Sequence, residues 1–295
     1  MHLINPAGKH RRMLCLLSVA FISIVLNTSC GQKSDSSQAV ATDLDTVVTA
    51  ENTTMAPESA QNTTAQMNML TEAEKNEGWK LLFDGKTTDG WRGAYKQSFP
   101  DSGWVVQDGL LSVLSSNGAE SRNGGDIVTT DEYDNFDLSF EFMLSEGANS
   151  GVKYYVVEHQ PKPAGSAFGL EFQVLDDAKH PDAKLGKNGN RTIGSLYDLL
   201  PAATDKQVNP IGEWNQGRVL VQGNHVEHWL NGKKVVEYER GSKDFRDLVA
   251  QSKYAAPDYN KNGRFGEAPK GHILIQDHGD KVSYRNIKIK PLSKT

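Results

Sequence analysis

Beyond residue 100 apolar residues recur at every second position over most of the chain, the spacing of half-buried strands rather than helices. Runs of this kind fall at 104–107, 110–114, 136–144, 152–159, 168–175, 218–222, 225–230, 233–239, 272–276 and 282–289. Turn chemistry bounds them, at Asp108-Gly109, Gly147-Ala148-Asn149, Asn231-Gly232 and His278-Gly279-Asp280. Asn231-Gly232 predicts a tight hairpin between 226–230 and 233–238, because a type I′ turn needs positive φ at both central residues. Helical spacing shows only at 243–252, with Phe245, Leu248 and Val249 on one stripe, and Thr71 followed by Glu74 predicts one short capped turn. The pattern therefore predicts an all-β antiparallel sandwich or jelly roll.

The first thirty residues are patterned differently. Lys9, Arg11 and Arg12 precede an apolar run over 13–26, followed by Asn27-Thr28-Ser29-Cys30. A basic start, a short apolar stretch and small residues predict a secretory signal over 1–29. A Cys directly after small residues resembles a bacterial lipobox, although Leu26 sits one position early. Cys30 is then the lipidation site, and the protein is expected at the bacterial cell envelope, held to the outer membrane by its lipid. Residues 30–70 are rich in Ser, Thr and Asn with no aromatic residue, which predicts a disordered tether. All five Trp lie beyond it, so 71–295 is expected to fold as one domain.

Composition narrows the field. Ten Phe, nine Tyr and five Trp can anchor a core, and the single long apolar run excludes a multi-pass membrane protein. The net charge is −5, becoming −8 once residues 1–29 and their three positive charges are removed. With its basic residues dispersed, the chain is not expected to bind nucleic acid. Its two cysteines, Cys15 and Cys30, leave the folded body without a disulfide, a thiolate nucleophile or a Cys-ligated metal.

Alternation also separates the faces of each strand. Glu171, Gln173 and Leu175 oppose Leu170, Phe172 and Val174; Ser139, Glu141 and Met143 oppose Leu138, Phe140 and Phe142. Lys153, Tyr155 and His159 oppose Val152, Tyr154 and Val156, while His272, Leu274, Gln276 and His278 oppose Ile273 and Ile275. His228 lies between Val226 and Leu230, with Glu227 and Trp229 on the other face. Sheet faces carrying carboxylate, amide, imidazole and aromatic groups suit a carbohydrate, which needs hydroxyl partners and a stacking surface. No nucleotide-binding loop or nucleophile elbow is present. Asp258-x-Asn260-x-Asn262-Gly263 begins like a calcium loop but has Pro269 where the twelfth-position Glu belongs. The paired carboxylates of sandwich-fold glucanases are absent too, which disfavours an ordinary glycosidase.

Leu82-Phe83-Asp84-Gly85-Lys86 with Gly90-Trp91, Trp104-Val105-Val106-Gln107-Asp108-Gly109, Asn149-Ser150-Gly151-Val152-Lys153-Tyr154 and Leu170-Glu171-Phe172-Gln173-Val174-Leu175-Asp176-Asp177 resemble the bacterial 3-keto-disaccharide hydrolase family. Gly223-Asn224-His225-Val226-Glu227-His228-Trp229 and Gln276-Asp277-His278-Gly279 extend the likeness. The segment 258–264 is longer and more polar than the family's usual stretch. The resemblance implies a concanavalin- or laminin-G-like jelly roll. It also implies cleavage of glucosides oxidised at C3, as a 3-keto-glucoside 1,2-lyase and 3-keto-2-hydroxyglucal hydratase.

Such chemistry needs a base at C2, an electrophile at the ketone oxygen and an acid for the leaving oxygen. Glu171 or His228 is the candidate base, and Lys153 the candidate stabiliser of the enolate. Glu141, Gln173 and Gln276 are expected to hold hydroxyls. Asp176, Asp177 and His180 are loop candidates for acid or metal ligand, and His278 is either a site residue or structural. A divalent cation could serve as the electrophile, with its ligands left open. Trp229 is expected in the core. The competing reading is a non-catalytic carbohydrate-binding module, since sandwiches host both.

Overall fold

The computed structural model describes residues 67–117, 119, 124–162, 166–260 and 263–293. The expected signal, Cys30 and the tether up to residue 66 lie outside the described residues. The last residues given to the tether are part of the fold. Asn68 is buried, donating from its side chain to the Gly109 carbonyl (2.8 Å) and exchanging bonds with Asn286 at 2.7 and 2.8 Å. Helix α1 (Glu72–Asn76) follows, closed by the expected reciprocal bonds between Thr71 and Glu74.

Thirteen strands among the described residues form two antiparallel sheets. The larger runs in the order β11 (Lys233–Glu239), β10 (His225–Leu230), β9 (Trp214–Gln222), β6 (Phe136–Leu144), β13 (Val282–Pro291), β4 (Leu110–Val113) and β3 (Trp104–Gln107). Strand β1 (Lys80–Leu81) also pairs with β13. The smaller runs β2 (Trp91–Gly93), β5 (Ile127–Thr129), β12 (His272–Ile275), β7 (Asn149–Val157) and β8 (Phe168–Leu175). The hairpin joining β10 and β11 turns at Asn231 (φ 49°) and Gly232 (φ 78°), as the sequence predicts. The longer helix among the described residues, α2 (Lys243–Ala250), buries Phe245 and Val249.

An aromatic seam joins the sheets. Phe140 meets Phe172 edge-on with centroids 5.4 Å apart, and Phe142 approaches the same ring at 6.5 Å. A fully buried Phe is worth roughly 1.5–3 kcal/mol, so a body without cysteine is stabilised mainly by this packing. The fold is the expected all-β sandwich.

One strand departs from strict alternation. Tyr155 takes φ 54°, and the β7–β8 register shifts between Tyr154 and Val157. The bulge turns both Tyr154 and Tyr155 into the core, while Val156 joins Val128, Ala167 and Leu274 in a second cluster. Tyr155 therefore does not share the face of Lys153, as unbroken alternation predicts.

Candidate active site

A cleft of about 190 Å³ opens on the face of the smaller sheet that points away from the aromatic seam. Register builds its floor. Strands β7 and β8 set Lys153 directly opposite Glu171 and Gly151 opposite Gln173. Strand β12 brings Leu274 beside Lys153, and the Gln276 amide donates to the Gly151 carbonyl at 2.9 Å. Gly151 is needed for space: a Cβ there would overlap Glu171 Oε1 and stand 2.9 Å from its Cδ. The missing side chain is where the Glu171 carboxylate lies.

Strand β8 ends its sheet, and an irregular segment covers its open edge. The Gly194 amide donates to Gln173, Gln173 to Ser195 and Tyr197 to Glu171, at 2.8, 3.2 and 3.0 Å. This carries the Tyr197 ring to the cleft wall. Its hydroxyl donates to Asp182 (2.7 Å), Arg191 binds Asp182 (2.8 Å) and Asp198 (2.6 Å), and Asp198 accepts the Lys253 amide (2.8 Å). The chain of bonds fixes Lys253 over the Tyr197 ring, with Nζ 4.2 Å from its centroid. Tyr254 and Tyr259 complete the wall, and Tyr254 stacks on Phe265 at 4.0 Å.

The electrostatics single out one carboxyl. Burial pushes the Glu171 pKa up from the usual carboxylate range, against the pull of Lys153, Lys253 and His278. Lys153 Nζ stands 3.7 Å from Glu171 Oε2 and donates to Ser166 Oγ at 2.6 Å, and Ser166 donates in turn to Asp126. Much of Lys253 is open to solvent, yet crowding lowers its ammonium pKa, burial first and then Lys153 and Arg191, opposed by Glu171 and Asp198. The Gln173 amide is buried, its nitrogen 3.4 Å from Asn149 Oδ1 and its oxygen without a hydrogen-bond partner. A buried acceptor left open in a polar cleft is suited to a ligand hydroxyl.

The structure thus brings together Lys153, Glu171, Gln173, Gln276 and His278. It does not bring His228, which is sealed between the sheets with Val226 and Leu230. Its Nδ1 donates to the Gly194 carbonyl (3.1 Å), its Nε2 accepts from Tyr154 (2.8 Å), and burial pushes its pKa down to about 4. With both nitrogens engaged in the core it cannot reach a sugar, which corrects its candidacy as base. Glu141 is corrected as well: it lies on the far side of the larger sheet, bound to Arg285 (2.6 Å) and Asn286 (2.9 Å). Trp229 lies on that outer side rather than in the core, beneath Arg218.

The acidic loop proves structural. Asp176 accepts the amides of Gly147, Ala178 and Lys179, and Asp177 accepts that of Ile193 and pairs with Lys206. His180 does not line the cleft, and its ring stands edge-on to that of His278 with centroids 5.7 Å apart. Among the described residues His180, His278 and Asp280 come close enough to share a metal ion. His180 fits that role poorly, because its Nδ1 accepts the Asp182 amide at 3.2 Å. In the neutral ring, favoured here by burial and His278, this leaves the proton on Nε2 and no lone pair for a metal. His225, Glu227 and Glu237 form a second such group on the surface, where His225 is already paired with Glu239. Tyr197, Lys253 and Tyr254 have no counterpart among the sequence candidates.

A family model for the 3-keto-alpha-glucoside-1,2-lyase-like domain matches residues 78–290. The chain belongs to this family. A Bacteroides thetaiotaomicron protein named 3-keto-disaccharide hydrolase is 38% identical over 243 residues, covering 77% of this chain and 83% of that protein. A Parabacteroides distasonis crystal structure described as a candidate glycosyl hydrolase is 34% identical, with a TM-score of 0.66 over 77% of this chain and 100% of the other. A second structure from that organism, described in the same way, is 29% identical, with a TM-score of 0.52 over 72% and 99%. The family's matched residues include every strand that floors the cleft.

Proposed function

We propose that the protein hydrolyses 3-keto-disaccharides and related 3-keto-glucosides by elimination followed by hydration, with Glu171 as the base. The observation that carries this is Glu171 itself, a buried carboxyl with a raised pKa facing an ammonium across one strand pair. A ketone at C3 acidifies the C2–H bond. Glu171 takes that proton, and the electron pair moves onto the ketone oxygen, where Lys153, held by Ser166, supplies positive charge. Collapse of the enolate forms the C1–C2 double bond and breaks the C1–O bond. Lys253, whose lowered pKa suits an acid, gives the leaving oxygen its proton. Water then adds across the double bond, its hydroxyl to C1 and a proton to C2, so the sum is hydrolysis. Gln173 and Gln276 hold ring hydroxyls.

Glu171→Gln keeps shape and removes the base. It is expected to fold as the wild type does and to lose about 10²–10⁴-fold in kcat on a 3-keto-glucoside. Unchanged turnover would reject the assignment, and unchanged ligand binding with no turnover in the wild type would favour a binding module.

A further inference from the structure

A second cavity, of about 420 Å³, continues from the first past Phe168, Gly169 and Tyr259, which line both. Its chemistry is opposite. The first is walled by carboxylate, ammonium and amide groups; the second is floored by Val157, Phe168, Phe265 and Pro269 and by the ring of Tyr155. The hydroxyl of Tyr155 is spent on the Asp134 carbonyl. At its rim Lys270 pairs with Glu132 at 2.7 Å and Glu267 with Arg246 at 2.7 Å, while Arg264 stands 3.6 Å from Glu267 and is largely exposed. Asn260 gives its side-chain oxygen to the Phe265 amide at 2.9 Å. His159, Asn260 and Arg264 also line the cavity and can meet polar groups. Over its apolar floor, however, a sugar hydroxyl would lose its water without gaining a partner, whereas an aromatic ring would bury a face against that floor.

We infer that the second cavity is the leaving-group subsite and that it takes an aromatic aglycone. This rests on the elimination reading for the identity of the sugar, and it names the leaving groups that bind best within that reaction: aryl and arylalkyl alcohols, ahead of the second sugar of a 3-keto-disaccharide. The sugar then sits over Glu171 and Gln173 with C1 toward Gly169. The leaving oxygen lies where the two cavities meet, on the Lys253 and Tyr259 side.

The test compares kcat/KM for methyl, benzyl and glucosyl 3-keto-glucosides, as both anomers where relevant, in the wild type and in Ala268→Trp. Methanol and benzyl alcohol are similar leaving groups, so the comparison reads binding rather than leaving-group acidity. Ala268 lines the second cavity and not the first, so a Trp there would take up space that an aromatic aglycone needs. The benzyl compound is expected to exceed both others by about tenfold or more in the wild type. Ala268→Trp should bring it to within about twofold of the methyl compound, whose own turnover stays unchanged. Equal constants for methyl and benzyl in the wild type, preference for the glucosyl compound, or an equal loss for all three in the variant would overturn the inference. Turnover of none of the three would instead reject the reaction. The subsite would then be read from ligand line broadening with unoxidised benzyl glucoside, where loss in Ala268→Trp supports it and no loss overturns it. Ala268→Leu serves if the Trp variant does not fold, with a smaller change in the same direction.

Discussion

At the scale of the residue, the site turns on an absent side chain. Gly151 is neither in a turn nor at positive φ; its hydrogen atom is needed because Glu171 occupies the space a Cβ would take. Gly151→Ala is expected to destabilise by about 1–3 kcal/mol through overpacking and to lower kcat/KM by about 10²-fold as the carboxylate is pushed aside. Adding Glu171→Ala should return the stability without the activity, a coupling that a double-mutant cycle of urea melts measures; additive effects would contradict the contact. The pH profile belongs to this scale too. Burial raises the Glu171 pKa, so the acid limb of kcat/KM should lie above the ordinary carboxylate range and disappear in Glu171→Gln. Lys253→Met should lower turnover far more for an alkyl than for a 4-nitrophenyl 3-keto-glucoside, since only the poor leaving group needs the proton. Equal losses would remove Lys253 from that role.

At the scale of the element, β7 and β8 position the chemistry and β10 supports it from behind. His228, on β10, is held neutral, with a folded pKa of about 4 against an ordinary 6.5. Between those values the unfolded chain binds a proton the native one does not, so stability rises with pH across that window and is lost as pH falls toward 4. The difference amounts to about 2–3 kcal/mol between pH 7 and 4.5, and His228→Gln should lack it when urea midpoints are compared at both values. A variant as acid-sensitive as the wild type would contradict it. The strands and the faces of β8 were legible because period-two alternation records which residues meet the core. The bulge at Tyr155 was not, since positive φ at a tyrosine has no sequence signal. Tyr197 and Lys253 were hidden for a related reason: they sit in irregular backbone placed by the Asp182–Arg191–Asp198 bonds, and no periodicity marks it. His228 is the opposite case: it lies in a family motif, yet its strand neighbours Val226 and Leu230 mark its face as the core one.

For the molecule as a whole, one sheet of the sandwich supplies the reactive floor and the other the support. The aromatic seam between them holds Phe172 from behind, so that Glu171 and Gln173, its chain neighbours, present to the cleft without freedom to turn inward. The central claim is that the C2 proton is removed before the glycosidic bond breaks. The direct measurement is proton NMR of 3-keto-glucoside turnover in deuterated water, read at the earliest times and corrected for exchange of the free product. The account predicts product carrying one deuterium at C2 as it is released, with both release and labelling lost in Glu171→Gln. Product released with hydrogen retained at C2 would contradict it and point to direct displacement at C1.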